Sequence, residues 1–393
     1  MAQQHTTSRR TRGPSRRSGA AVLLLLVLLV LASCARPPSG GSGQGGGDSG
    51  SEPDTSSGGG GGSGSGDAVQ VFFTTTSLVY PDKPAGRPSS PLLEAVLSDI
   101  GGARTSIDIA TFDFDIPQIT DALTKAKKRG VKVRMVVDSE NLETPEVAEQ
   151  TGKLKKAKIP ITLDNREPFM HNKFIVVDGA ITWMGSWNLT DNDTFRNNNN
   201  TIRFVDDQIS AAYTQEFEQM FGGKFGVKKK SNAPHPSVTV GKTKVELYFS
   251  PKDGVAKYVL KRLEQAKRSI RFMTFSYTSD PIADAMLAKE KAGLKVQGVF
   301  EAQNASGTGS EFAKLKRGDI DVLEDGNCYI LHHKVIVIDD KTVITGSYNF
   351  TSSAERDNDE NLVIVDDAAV AKKYVDEFQR LYKQASAPRR CGS

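Results

Sequence analysis

The chain has little of what metal centres and disulfide scaffolds are made from. Its 393 residues include three cysteines and five histidines. Three cysteines are too few for a disulfide framework, and no Cys/His cluster has zinc spacing. No metal and no cofactor is therefore expected. Long apolar runs are also scarce. The conspicuous one, Ala20–Ala32, is thirteen residues, short of the about 20 that a membrane-spanning helix needs. A basic excess is missing as well. Residues 1–34 contain five arginines and no acid, and setting those arginines aside takes 51 basic residues to 46, against 47 acidic. A nucleic-acid binder usually carries a basic excess. None is visible globally, which leaves only a local basic groove open.

What the leader does have is a recognisable order. Arg9, Arg10, Arg12, Arg16 and Arg17 precede the apolar run, as in a secretory signal peptide. The run ends Leu31-Ala32-Ser33-Cys34, which resembles the lipobox of bacterial lipoproteins. That resemblance implies a signal peptide over 1–33, cleavage before Cys34 and a lipid on its thiol, so that the membrane is a partner and the location is extracytoplasmic. Residues 34–67 are mostly Gly and Ser and are expected to form a disordered tether. Cys328 and Cys391 remain. An oxidising compartment permits a bridge between them, but Cys391 sits close to the chain end and the pairing stays open.

The rest of the chain repeats itself. Ala103–Phe112 (ARTSIDIATF) matches Ala266–Phe275 (AKRSIRFMTF), and Gly130–Val133 matches Gly293–Val296, both at an offset of 163. A period this long is a duplicated domain, not a solenoid unit. Each copy reads as alternating strands and helices, with strands apolar on both faces, so helices should cover both sides of a sheet. The fold class is α/β. The expected organisation is a first domain over 68–222, a linker over 223–243, a second domain over 244–386 and a tail over 387–393. Asp115 is the expected N-cap of a helix over Ile116–Arg129. The linker's Lys228-Lys229-Lys230 reads as solvated charge.

Both copies carry the pattern His-x-Lys, four residues, Asp, six residues, Gly-Ser-x-Asn. It runs His171, Lys173, Asp178, Gly185-Ser186-Trp187-Asn188, and again His332, Lys334, Asp339, Gly346-Ser347-Tyr348-Asn349. A strand alternates its side chains, so His and Lys two apart share a face. Lys supplies charge, and Ser186, Asn188, Ser347 and Asn349 supply hydrogen bonds, to the oxygens of one phosphate. His333 should face the opposite way. Asp178 and Asp339 count among the motif's candidate catalytic residues, although their place at a turn favours fixing the loop.

This duplicated spacing closely resembles the phospholipase D superfamily over about residues 68–386. The resemblance implies two α/β/α sandwich domains related by a pseudo-twofold axis and metal-free phosphodiester chemistry. It implies that His171 attacks phosphorus, forming a phosphohistidine, while His332 serves as acid and then base. Glu360, 28 residues after His332, matches a family carboxylate that fixes a catalytic imidazole; Asn199, 28 after His171, departs from it. Family geometry crosses these pairs, with Glu360 on His171 and Asn199 on His332. The expected substrate is a phosphatidylcholine-like phospholipid. Alternatives are a non-specific nuclease acting on DNA or RNA, a cardiolipin-synthase-like transferase, and a non-catalytic phosphate-binding envelope protein. No obligate protein partner is expected.

Overall fold

The computed structural model describes residues 68–231, 237–388 and 391. The signal peptide, Cys34, the tether and His235 lie outside the described residues.

Each copy builds a mixed sheet in the same order. In the first, β1 (Val69–Phe73), β2 (Ser106–Thr111), β3 (Lys132–Val137), β4 (Ile161–Leu163), β5 (Phe174–Val177), β6 (Ile181–Gly185) and β7 (Asn200–Val205) lie in the order β1-β7-β6-β5-β2-β3-β4. The second adds an edge strand, β8 (Val238–Val240), and then repeats the scheme. It has β9 (Thr243–Ser250), β10 (Ser269–Thr274), β11 (Lys295–Phe300), β12 (Asp321–Glu324), β13 (Lys334–Ile338), β14 (Thr342–Gly346) and β15 (Glu360–Asp366), ordered β12-β11-β10-β13-β14-β15-β9-β8.

Alternation along the motif strands divides the apolar residues between two layers. Phe174 and Val176 face a core shared by both copies, while Ile175 and Val177 face the outer core of the first. Likewise Val335 and Val337 face the shared core, and Ile336 and Ile338 the outer core of the second. The helices follow from this. In the first copy α1 (Pro91–Gly102), α2 (Pro117–Lys128) and α3 (Pro145–Lys156) contribute to the outer layer, and α4 (Asp191–Phe195) leads into β7. The closing helix α5 (Asp207–Phe221) enters the shared core through Ile209, Tyr213, Phe217 and Met220. In the second copy α6 (Val255–Glu264), α7 (Asp280–Lys291), α8 (Ala302–Ala305) and α9 (Phe312–Arg317) contribute to the outer layer, α10 (Ser352–Arg356) precedes β15, and α11 (Ala368–Ser386) enters the shared core through Val370, Tyr374, Phe378 and Leu381. Tyr213 meets Phe249 of the other copy edge-on at 5.2 Å between ring centres, and Tyr374 meets Phe73 at the same distance. The core is therefore continuous across the copy boundary.

Two local expectations are corrected, and one question left open is settled. Ile116, not Asp115, is the N-cap of α2, because Pro117 takes the first helical position; the Asp115 carboxylate instead accepts from the Asp191 amide at 2.7 Å, at the start of α4. Lys229 is not solvated. It is buried, bonded to Glu216 and, at 2.6 Å, to Asp359 of the second copy. Its hydrophilic neighbours in sequence give no hint of this, since burial comes from contacts distant along the chain. Cys328 and Cys391 form a disulfide, with 5.4 Å between their Cα atoms. Among the described residues no helix is long and apolar enough to cross a membrane.

Candidate active site

The two histidine motifs meet where the copies exchange backbone. The His171 amide donates to the Asp359 carbonyl and the His332 amide to the Asn198 carbonyl, both at 2.9 Å. Met170 bridges to Asp359, and Leu331 to Asn198. Each histidine is thus fixed by the segment that leads into the last strand of the other copy.

Side chains complete the exchange. His171 Nδ1 lies 2.7 Å from Glu360 Oε2, and His332 Nδ1 lies 2.9 Å from Asn199 Oδ1. The crossed pairing implied by the family resemblance is the arrangement found. Lys173 Nζ donates to the His171 carbonyl at 2.9 Å and Lys334 Nζ to that of His332 at 2.8 Å, which leaves each ammonium further N–H groups for an anion. Lys173 lies over the Phe112 ring and Lys334 over the Phe275 ring, and the same rings meet His171 and His332 edge-on. His171 and His332 retain 8% and 7% exposure, whereas His333 retains none. His333 turns into the copy interface, with Nδ1 3.0 Å from Asn200 Nδ2 and Nε2 3.4 Å from Glu377.

Burial sets the electrostatics. It pushes the Glu360 carboxyl up to about 8, with Lys173 the chief opposing charge. It pushes His171 down, and Lys173 and Lys334 push it further. Lys173 is the charge that favours the ionised Glu360 carboxylate, the form that can accept from the His171 Nδ1–H. Lys173 is lowered to about 8 by burial against the pull of Glu360 and Asp193, and Lys334 is lowered by burial and by Lys173. Two buried ammonium groups that depress each other are favoured by an anion between them.

Other motif residues fall elsewhere. Asp178 and Asp339 are not in the site. Each occupies a left-handed turn at the far end of its strand, about 15 Å of extended chain from the motif lysine. Asp178 accepts from the amides of Arg104, Thr105 and Ser106, and Asp339 from those of Lys267, Arg268 and Ser269. Burial opposes ionisation there, but the three amides overcome it and hold both carboxyls below the usual range. They fix the entry to β2 and β10.

The serines also differ from expectation. A Cβ on Gly185 would lie 2.2 Å from the Asn200 carbonyl, and one on Gly346 equally close to that of Asn361. This close approach lets Ser186 Oγ accept from the Asn200 amide and donate to Asn199 Oδ1 at 2.9 Å. Ser347 Oγ accepts from the Asn361 amide and from the Asn361 side-chain amide. The Ser186 hydroxyl proton is committed to Asn199, the residue that holds His332, so Ser186 positions that partner and does not donate to a phosphate. Asn188 and Asn349 each keep a buried amide oxygen with no partner among the described residues.

Sequence reasoning missed four contributors. Asp138, at the end of β3, accepts from the Met170 amide at 2.7 Å and shapes the turn into His171. Arg166 and Lys229 both bond Asp359, next to Glu360. The equivalent contact beside Asn199 is neutral, Asn327 Nδ2 to Asn198 Oδ1 at 2.8 Å. Asp193 lies 3.5 Å from His332 Nδ1. The only sequence signal was the repeat itself, since Phe112 and Phe275 end its matching segments and Asp193 aligns with Ala354 at the motif offset. Among the described residues no group of His, Cys, Asp and Glu is arranged to hold a metal.

This chain matches the family model described as cardiolipin synthase, PLD-like domain, over residues 96–221 and again over 259–382. It belongs to the phospholipase D superfamily, and the relatives support a phosphodiesterase of that superfamily. It is 33% identical over 139 residues to a phospholipase D of Rickettsia conorii, covering 35% of this chain and 70% of that protein. It is 31% identical over 132 residues to a mitochondrial cardiolipin hydrolase of Xenopus tropicalis, covering 34% of this chain and 63% of that one. The phosphatidylserine synthase structure from Haemophilus influenzae shares the fold at a TM-score of 0.61, with 13% identity, over 80% of this chain and 86% of that one.

Proposed function

We propose that this protein hydrolyses phospholipids of the phosphatidylcholine type to phosphatidate and a free head group, through a covalent phosphohistidine on His171. The observation that carries the reading is the crossed placement of two imidazoles, each held through Nδ1 by the opposite copy. With the Nδ1 proton donated to Glu360, His171 Nε2 keeps its lone pair for attack on phosphorus. The N–P bond forms as the P–O bond to the head group breaks, and His332 Nε2 gives its proton to the departing oxygen. In the second step water loses a proton to His332 and displaces His171. Lys173 and Lys334 hold the non-bridging oxygens, assisted by the Asn188 and Asn349 amides.

The phospholipid reading draws on relatives named for phospholipid and cardiolipin hydrolysis, on the near-neutral chain after the leader, and on the expected anchoring of the protein outside the cytoplasm through lipidated Cys34. The full chain, assayed with EDTA present, is expected to release choline from phosphatidylcholine vesicles and to leave plasmid DNA intact. Cleavage of plasmid DNA with no head-group release would replace this reading with that of a nuclease.

A further inference from the structure

The two halves of the site solve the same problem with different residues. In the His171 half, Glu360 alone supplies a hydrogen-bond acceptor and a negative charge to Nδ1. In the His332 half the equivalent residue is Asn199, which accepts at 2.9 Å but carries no charge. A carboxylate is nevertheless present. Asp193 Oδ2 lies 3.5 Å from the same Nδ1, reaching it from α4 instead of from the residue that precedes β7.

We infer that Asp193 is the charge-bearing positioning residue of His332, taking over the part that Asn199 cannot perform, so that orientation and charge, united in Glu360, are divided between two residues. This deepens the proposed function and rests on it for the role of His332.

The geometry around Asp193 is built for that task. Its Oδ1 accepts from Asn197 Nδ2 at 2.7 Å and its Oδ2 from the Asn188 amide at 2.8 Å. Asn199 Nδ2 donates to the Asp193 carbonyl, tying the two partners of His332 together. Asp193 is fully enclosed, and burial alone would favour its neutral form. The His332 imidazole, Asn197 and the Asn188 amide overcome this and hold the carboxyl below its usual range. Five other charged or titratable groups act on this pair, of which His171 senses Asp193 across the site. Lys334 and Lys173 push the His332 imidazole toward neutrality, while Asp113 and Asp115 sense Asp193 from the loop after β2. Among these, Asp193 is the carboxylate in direct reach of the ring.

The second copy supplies the control. Position 354, which aligns with 193 at the motif offset of 161, is alanine, and position 360, which aligns with 199, is glutamate. Each half therefore holds one enclosed carboxylate for one imidazole, and never two. Asp193/Asn199 and Ala354/Glu360 are alternative solutions. A carboxylate at both positions of one half would place two buried negative charges on one ring.

The test transplants one solution onto the other half in the full chain. Asp193→Asn keeps the shape and removes the charge. It is expected to lower kcat tenfold or more with KM within twofold, and to lower the His332 pKa by a unit or more. That pKa is read by nitrogen-15 NMR of histidine-labelled protein with sulfate bound, where the anion offsets the two lysines. Asn199→Glu alone is also expected to lose activity. The double variant Asp193→Ala/Asn199→Glu is expected to recover to within about threefold of the starting protein. An unchanged His332 titration in Asp193→Asn would overturn the inference. So would a double variant that melts normally but is no more active than Asp193→Ala. If the unmodified protein turns over no phosphodiester, the proposed function fails instead, and the His332 titration alone decides the placement of charge.

Discussion

At the scale of the residue, the site is a place where burial does most of the tuning. Lys173 is lowered to about 8 because it is enclosed, and an anion binds best while that ammonium keeps its proton. The sign follows directly. Below about 8 the charge is present and the anion is held. As pH rises through that value the charge is lost, and affinity falls about tenfold per further unit. Sulfate keeps its charge over this range, so its dissociation constant, measured by calorimetry from pH 6 to pH 10, isolates the protein's titration. We expect it to be flat below about pH 7.5 and to weaken above 8, with Lys173→Met showing weak binding throughout. The histidines and lysines of this site were legible in the sequence, because two-residue alternation at a strand start is a strictly local pattern. Asp193 was not, since its approach from a short helix depends on how that helix packs. The serines were legible as members of the site but not in their task, which depends on the approach of β7 to Gly185 and of β15 to Gly346.

At the scale of the element, the motif strands were the clearest part of the chain. Phe174–Val177 and Val335–Ile338 are uniformly apolar because both their faces are covered, and that is visible without a structure. Helix α3 was not foreseen. It is lysine-rich and buries only Val147, Gln150, Thr151 and Leu154, which is too weak a periodic signal to read. The turn aspartates belong to this scale too. Asp178 joins the turn after β5 to the start of β2, so removing its charge should cost stability and not chemistry. Asn tolerates the left-handed backbone at this position, which makes Asp178→Asn the clean substitution. We expect it to destabilise the fold by about 1–3 kcal/mol, lowering Tm, while kcat of the folded protein stays within threefold. A hundredfold loss of kcat at unchanged Tm would instead return Asp178 to the chemistry.

At the scale of the whole molecule, duplication is what makes the site. One copy supplies a histidine and a lysine, but the group that holds each imidazole comes mainly from the other. The joint is reinforced by the shared core and by Lys229 with Arg166 around Asp359. It is asymmetric, since the neighbourhood of Glu360 is charged and that of Asn199 is bonded through neutral amides. The repeat announced the duplication. The asymmetry was only partly legible, through Asn199, because the ion pairs around Asp359 join residues far apart in sequence. The central claim, one shared site with unequal histidines, is tested most directly by trapping the intermediate. Protein is mixed with a phosphodiester substrate, quenched in alkali to preserve phosphohistidine, and mapped by mass spectrometry. With a substrate whose leaving group departs without a proton, the account predicts the glycerophosphoryl group on His171, accumulating further in His332→Ala because its second step lacks a base, and none in His171→Ala. That group on His332, or turnover in either alanine variant, would contradict it.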